Sequence, residues 1–205
     1  MKKEREIIQR GAEAILYLRD GKLIKERISK GYRIPELDRK IRKQRTKGEA
    51  KLMEISRGRG LPIPGVRIEE DFRIVMDYIK GEKLKDILNE MGEEQRNSVC
   101  GEMGEMIAHL HSSGIIHGDL TTSNMILSDG RVFLVDFGLG KFSEKIEDQA
   151  VDLFLLYEAL KSTHFRVLEK SWERVLKSYG QNYPSAAEVL KRIEKIKKRR
   201  RYRGE

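Results

Sequence analysis

The hydrophobic pattern of the chain changes character near Gly81, and that change limits what the chain can fold into. Before it, apolar residues come in short strand-like runs separated by turn signals; after it, they recur at the three- and four-residue spacing of amphipathic helices. Residues 13–28, EAILYLRDGKLIKERI, hold two such runs divided by RDG, the pattern of an antiparallel hairpin. In residues 31–60, Pro35 and Asp38 are helix-start signals, Ile41, Ala50, Leu52, Met53 and Ile55 form an apolar face, and Gly58 is a stop. This predicts a long helix in one or two pieces. The prolines of LPIPG cannot continue it, and VRIEEDFRIVMDYI reads as two more strands joined near Glu70 and Asp71.

The remainder is helical with one interruption. From Glu93 to His111, Val99, Met103, Met106, Ile107 and Leu110 share a helical face, so these methionines read as core. IIHGDLTTSNMIL, the turn SDGR and VFLVDFGLG then supply short strands around a polar connection, and three further helical segments follow, the last two separated by Gly180 and Pro184. The expected fold class is α+β. Residues 1–80 form an antiparallel sheet plus a helix; residues 81–205 form a mostly helical part that closes in a basic tail from about residue 195.

A chain of 205 residues can bury a real core without a disulfide or metal staple. Its one cysteine, Cys100, has no partner in the chain, and no Cys/His cluster has zinc-ligand spacing, which fits a reducing cytoplasm. The first apolar run, Ile15 to Leu18, is far too short for a signal or membrane span, so a soluble, cytoplasmic protein with no membrane contact is expected. The net charge of +9 is concentrated in the closing stretch KRIEKIKKRRRYRGE. On composition alone this fits nucleic acid phosphates and a solvated helix end equally well.

Residues 117–124, HGDLTTSN, place Asp119 and Asn124 five positions apart, and Asp136 follows at the end of the apolar run VFLV. Such oxygen donors suit a hard cation such as Mg²⁺, with Asn124 and Asp136 as ligands and Asp119 as a base or orienting group. HGDLTTSN followed by VDFG resembles the catalytic and metal-binding loops of the protein-kinase superfamily. The resemblance extends upstream: Lys25 sits on a strand where kinases carry their phosphate-binding lysine, and Glu49 on the next helix where its ion-pair partner belongs. It implies a small bilobal kinase-like fold. There are departures. GAEA, Gly11, Ala12, Glu13 and Ala14, stands where most kinases have a glycine-rich loop, no Ala-Pro-Glu segment follows, and Gly118 stands where regulated kinases carry Arg. Switching by activation-loop phosphorylation is therefore not expected.

The small size, with IKERISKGYRIPELD, RTKGEAKLM, IIHGDLTTSNMI, DFGLG and the Lys/Arg tail, is similar to the Bud-type small atypical serine/threonine kinases, the p53-related protein kinase family. These are the kinase/ATPase subunits of the KEOPS (EKC) complex, which takes part in making threonylcarbamoyladenosine in tRNA. The resemblance implies ATP and Mg²⁺ as cofactors, Asp119 as the catalytic residue, and Lys25 and Glu49 at the phosphates. It places the adenine hinge at Met76, Asp77, Tyr78 and Ile79, and gives His117 a bracing role. Partners implied are a threonylcarbamoyl transferase subunit, a small helper subunit and tRNA, the last through Lys197, Lys198, Arg199, Arg200, Arg201 and Arg203, with Tyr202 as a base-stacking candidate. His109, His111 and His164 read as structural. A RIO-like or small-molecule kinase independent of KEOPS, and a non-catalytic RNA-binding scaffold, are the alternatives.

Overall fold

The hairpin expected at RDG forms in the computed structural model, which describes residues 6–201. Strands β2 (Ala14–Arg19) and β3 (Lys22–Arg27) pair antiparallel across Asp20 and Gly21, both at positive φ (51° and 72°), the geometry a two-residue turn needs to match strand twist. On the outer edge of β2 lies β1 (Glu6–Arg10), a strand the sequence pattern did not announce. All five of its residues are exposed and its register is broken between Ile7 and Gln9. Helix α1 (Pro35–Gly58) is one unbroken piece, with Pro35 in its first turn where no N–H partner is required. Strands β4 (Val66–Glu69) and β5 (Arg73–Asp77) complete a five-stranded sheet in the order β1-β2-β3-β5-β4.

Alternation along β5 divides the apolar residues between the two sheet faces. Val75 joins Tyr17 and Ile24 in a small cluster, while Ile74 and Met76 join Ala50, Leu52 and Met53 in the main core. The link from β3 to α1 is fixed by buried Asp38, which accepts from Ser29 Oγ (3.0 Å), the Lys30 amide (3.3 Å) and Arg42 Nε (2.7 Å). The YRIPELD segment thus has a structural use: it sets the direction in which α1 leaves the sheet.

Past the sheet come β6 (Glu82–Lys83), the single turn α2 (Leu84–Ile87) and α3 (Glu93–Ser112). Short strands β7 (Ile115–Ile116), β8 (Met125–Ser128), β9 (Arg131–Leu134) and β10 (Lys141–Phe142) follow. Helices α4 (Ile146–Thr163), α5 (Leu168–Asn182) and α6 (Ala186–Arg201) end the described chain. β6, β8 and β9 form one small sheet, and β10 pairs with β7. Val99, Met103, Met106, Ile107 and Leu110 of α3 are all buried, as their spacing predicts, each contributing about 1.5–3 kcal/mol by leaving water. Helix α3 lies against α5 so closely that a Cβ on Gly104 would stand 2.3 Å from the Val175 carbonyl oxygen. No helix among the described residues is long and apolar enough to cross a membrane.

Candidate active site

The polar stretch 117–124 leaves the buried strand β7 and reaches β8 through a 3₁₀ turn at Thr122–Asn124. Three anchors hold it. His117 is fully buried, with Nε2 3.0 Å from the Val135 carbonyl oxygen and Nδ1 3.3 Å from the Asp119 amide. These partners assign the proton to Nε2, so the ring braces the loop in the manner expected. Asp152 of α4, a residue to which the sequence assigns no role, accepts from the backbone amides of His117 (2.7 Å) and Gly118 (2.8 Å) and lies 3.4 Å from His111 Nε2. His164 bridges Thr122 Oγ1 (3.0 Å) and Asn89 Oδ1 (2.9 Å). His111 and His164 are thus structural, and His109 is exposed. At the loop's exit, Asn124 Nδ2 donates to both the carbonyl and the carboxylate of Asp119, each at 2.9 Å, which fixes the direction of that carboxylate.

Gly118 has φ +80°, and a Cβ there would meet the Leu139 carbonyl oxygen at 2.4 Å. An arginine cannot occupy this position without moving the segment after Asp136. Gly118→Ala should therefore cost about 1–3 kcal/mol in urea unfolding, and turnover should fall with it because Asp119 is the next residue. Wild-type stability in that variant would show that the loop yields freely.

Lys25 and Arg27, two positions apart on β3, face the same way and divide the two oxygens of Glu49 between them. Lys25 Nζ is 2.7 Å from Glu49 Oε1, and Arg27 Nη2 is 2.6 Å from Glu49 Oε2. The Glu49 side chain is 1% exposed, so its charge is tolerable only because both oxygens are paired. Arg27 went unread in the sequence; its spacing from Lys25 on one strand face was the available signal. Lys25 Nζ also stands 2.7 Å from Asp136 Oδ1. Asp136 adopts φ +62°, and its Oδ1 accepts from the Gly138 amide at 3.1 Å. Burial pushes the Asp136 carboxyl up, but the adjacent Lys25 ammonium and the hydrogen bonds from Lys25 and Gly138 outweigh it, holding its pKa below the ordinary carboxylate value. The group is ionised at neutral pH.

These side chains surround a cavity of about 310 Å³. Gly11, Ala12, Glu13 and Ala14, in the turn from β1 to β2, form one wall. Lys25 and Arg27 line it from β3, with Asp119, Asp136 and Gly138 beyond. Arg45 of α1 also lines it; Glu49 and Asn124 do not, and are tied to it by their bonds to Lys25 and Asp119. The four hinge candidates are not among its walls. Met76 is buried in the core, Asp77 is tied to Lys22 Nζ (2.7 Å) and the Gly65 amide (2.9 Å), and Tyr78 and Ile79 lie beyond the end of β5. The cavity thus gathers the charged candidates and not the hinge ones, and lies at the small end of the roughly 300–1,000 Å³ range for small-molecule pockets.

No group of three or more His, Cys, Asp or Glu that could hold a metal occurs among the described residues. An amide oxygen from Asn124 and a carboxylate from Asp136 nonetheless fit Mg²⁺, which uses few protein ligands and takes the rest from water and phosphate. In the tail, Lys197 is not free: its ammonium lies 4.0 Å over the Tyr157 ring and 5.4 Å from that of Trp172, and its side chain is 17% exposed. It fastens α6 to α4 and α5 in place of joining a basic surface. Lys198 and Arg199 are exposed. The side chains of Arg200 and Arg201, and Tyr202 and Arg203 altogether, lie outside the described residues.

Residues 63–165 match the model of the protein kinase domain family. The chain is 44% identical over 212 residues to the KEOPS complex subunit Bud32 of Pyrococcus abyssi, covering 96% of both proteins. It is 40% identical to a probable serine/threonine-protein kinase BUD32 homolog of Archaeoglobus fulgidus, covering 94% of each. It is also 40% identical to a probable bifunctional tRNA threonylcarbamoyladenosine biosynthesis protein of Methanosarcina mazei, of whose length it spans 36%. Among solved structures, the protein of the streptomycin–ATP–APH(2″)-IIa ternary complex superposes with a TM-score of 0.58 over 94% of this chain and 91% of that one, at 14% identity, a likeness of fold. With a kinase fold and near-complete alignment to its relatives, the chain belongs to the Bud32 family of serine/threonine protein kinases.

Proposed function

We propose that the chain is the ATP-dependent kinase/ATPase subunit of a KEOPS complex and serves threonylcarbamoyladenosine formation in tRNA. The observation that carries the catalytic part is the position of Lys25 Nζ, 2.7 Å from both Glu49 and Asp136, on a cavity that Asp119 also lines. Phosphoryl transfer asks a protein mainly to position groups and neutralise charge. Lys25 holds the α- and β-phosphates and is itself aimed by Glu49. Asp119, fixed by Asn124, orients the attacking hydroxyl or water and accepts its proton. Asn124 and Asp136 hold Mg²⁺, which when bound offsets charge on the phosphates. The turn Gly11–Ala14 closes over the phosphates, and the adenine lies toward the backbone of Met76, Asp77, Tyr78 and Ile79.

The complex-level reading rests on the names of the relatives, one a KEOPS complex subunit and one a longer, probable bifunctional tRNA threonylcarbamoyladenosine biosynthesis protein. It makes a threonylcarbamoyl transferase subunit and a small helper subunit the protein partners, in the cytoplasm. Exposed Lys198 and Arg199 support tRNA contact through the far end of α6, together with Arg200, Arg201 and Arg203. The reading is tested by ATP hydrolysis at matched protein concentration, alone and with the transferase subunit plus tRNA, for the unaltered chain and Asp136→Ala. Partner-stimulated hydrolysis that vanishes in the variant is the expected result. Equal hydrolysis without partners favours an independent kinase, and none under any condition a scaffold.

A further inference from the structure

We propose that Arg45 binds the terminal phosphate of the nucleoside triphosphate, exchanging its present partner Glu13 for that phosphate. The inference rests on the nucleotide reading above and concerns how the terminal phosphate is gripped when glycines are few. Backbone amides usually cover phosphates in a loop of this position. Here the Gly11 amide donates to the Ala14 carbonyl at 2.9 Å, and the Ala12 carbonyl accepts from Lys30 Nζ. The Gly11 amide is therefore engaged within the turn, and a side-chain donor from another element adds to what the turn offers a phosphate.

Arg45 stands one helical turn before Glu49 on α1, so both project from the same helix face, Glu49 to the buried ion pairs and Arg45 to the cavity wall. Arg45 Nη1 lies 2.9 Å from Glu13 Oε2, and the two side chains are 41% and 46% exposed. An exposed pair of this kind contributes little and exchanges readily, whereas the Lys25 and Arg27 pairs with Glu49 are buried and do not. The cavity walls carry three cations, Lys25, Arg27 and Arg45, against three carboxylates, Glu13, Asp119 and Asp136, so a polyphosphate meets no net positive charge and gains an unpaired cation only where a pair opens. Glu13–Arg45 is the pair that opens at least cost, and a guanidinium matches phosphate with two parallel hydrogen bonds. Asp119 lines the same cavity, so the transferred group lies within it. An Arg45 that grips that group distinguishes a triphosphate from a diphosphate.

The test is calorimetric titration of the full chain, with Mg²⁺, against a non-hydrolysable ATP analogue and against ADP, for the unaltered protein, Arg45→Gln and Glu13→Gln. Arg45→Gln should weaken the analogue about tenfold or more while leaving ADP within about twofold. Glu13→Gln should tighten the analogue, and by more than it tightens ADP, because it frees the guanidinium. An equal loss for both nucleotides in Arg45→Gln, or an unchanged or weaker analogue in Glu13→Gln, overturns the proposal. Should the unaltered protein bind neither nucleotide, the nucleotide reading of the cavity fails first and this one with it.

Discussion

Asp119→Asn should fold normally, bind nucleotide with nearly unaltered affinity, and turn over about 10²–10⁴ times more slowly than the unaltered protein. The substitution keeps size and shape, and the Asp119 carbonyl that receives one of the two Asn124 bonds is untouched. What disappears is the carboxylate that can take a proton from an attacking hydroxyl or water. Because the group acts only as the reaction proceeds, the loss belongs in kcat, with KM for ATP little changed. Steady-state hydrolysis and autophosphorylation, each read as kcat and KM separately, check this. Retention of more than a tenth of wild-type kcat would move the proton-accepting role elsewhere and leave Asp119 as a loop former.

The parts of this site that a reader of the sequence can find are those whose chemistry sits in one contiguous run. HGDLTTSN and VDFG announce themselves because Asp119, Asn124 and Asp136 must be oxygen donors at strand ends, and short apolar runs mark those ends. Lys25 and Glu49 are found only through order along the chain, since a lysine on a strand and a glutamate on a helix are ordinary residues. Arg27 and Asp152 escape because their importance is a matter of partners. Arg27 matters through an oxygen of Glu49 that lies 22 positions along the chain, and Asp152 through two amides 34 and 35 positions earlier. Strand β1 escapes for a different reason. With all of EIIQR exposed and a register break inside it, no alternation of apolar and polar residues is required, so none is written. The reverse error arises at Lys197, whose place in a basic run suggests solvent, whereas the faces of Tyr157 and Trp172 offer its ammonium a better site than water does.

The largest loss of stability is expected at Asp152. Its side chain is inaccessible to solvent, and its carboxylate is the acceptor for two catalytic-loop amides and the neighbour of His111. His111 is in turn fixed from behind. Burial, with Tyr183 and Asp152 nearby, pushes the Tyr179 phenol far above its ordinary pKa, so it keeps its proton. The Asp152 carboxylate only accepts, so His111 Nε2 carries the proton that faces it and Nδ1 accepts from the Tyr179 hydroxyl at 2.9 Å. A chain of hydrogen bonds therefore runs from α5 through α3 and α4 into the loop that presents Asp119. Asp152→Ala leaves a buried amide, a part-buried amide and an imidazole without an acceptor, at a cost of about 3–5 kcal/mol, against a total of about 5–15 for a typical domain. Asp152→Asn, which keeps one carbonyl oxygen, should lose less, and Tyr179→Phe, remote from the loop, less again. Urea unfolding of the three variants gives the ranking. If Asp152→Ala unfolds within 1 kcal/mol of the unaltered protein, the loop is held without it, by His117, His164 and Asn124. If the ranking holds, the helical part is the device that keeps Asp119 in place, without help from a phosphorylated segment.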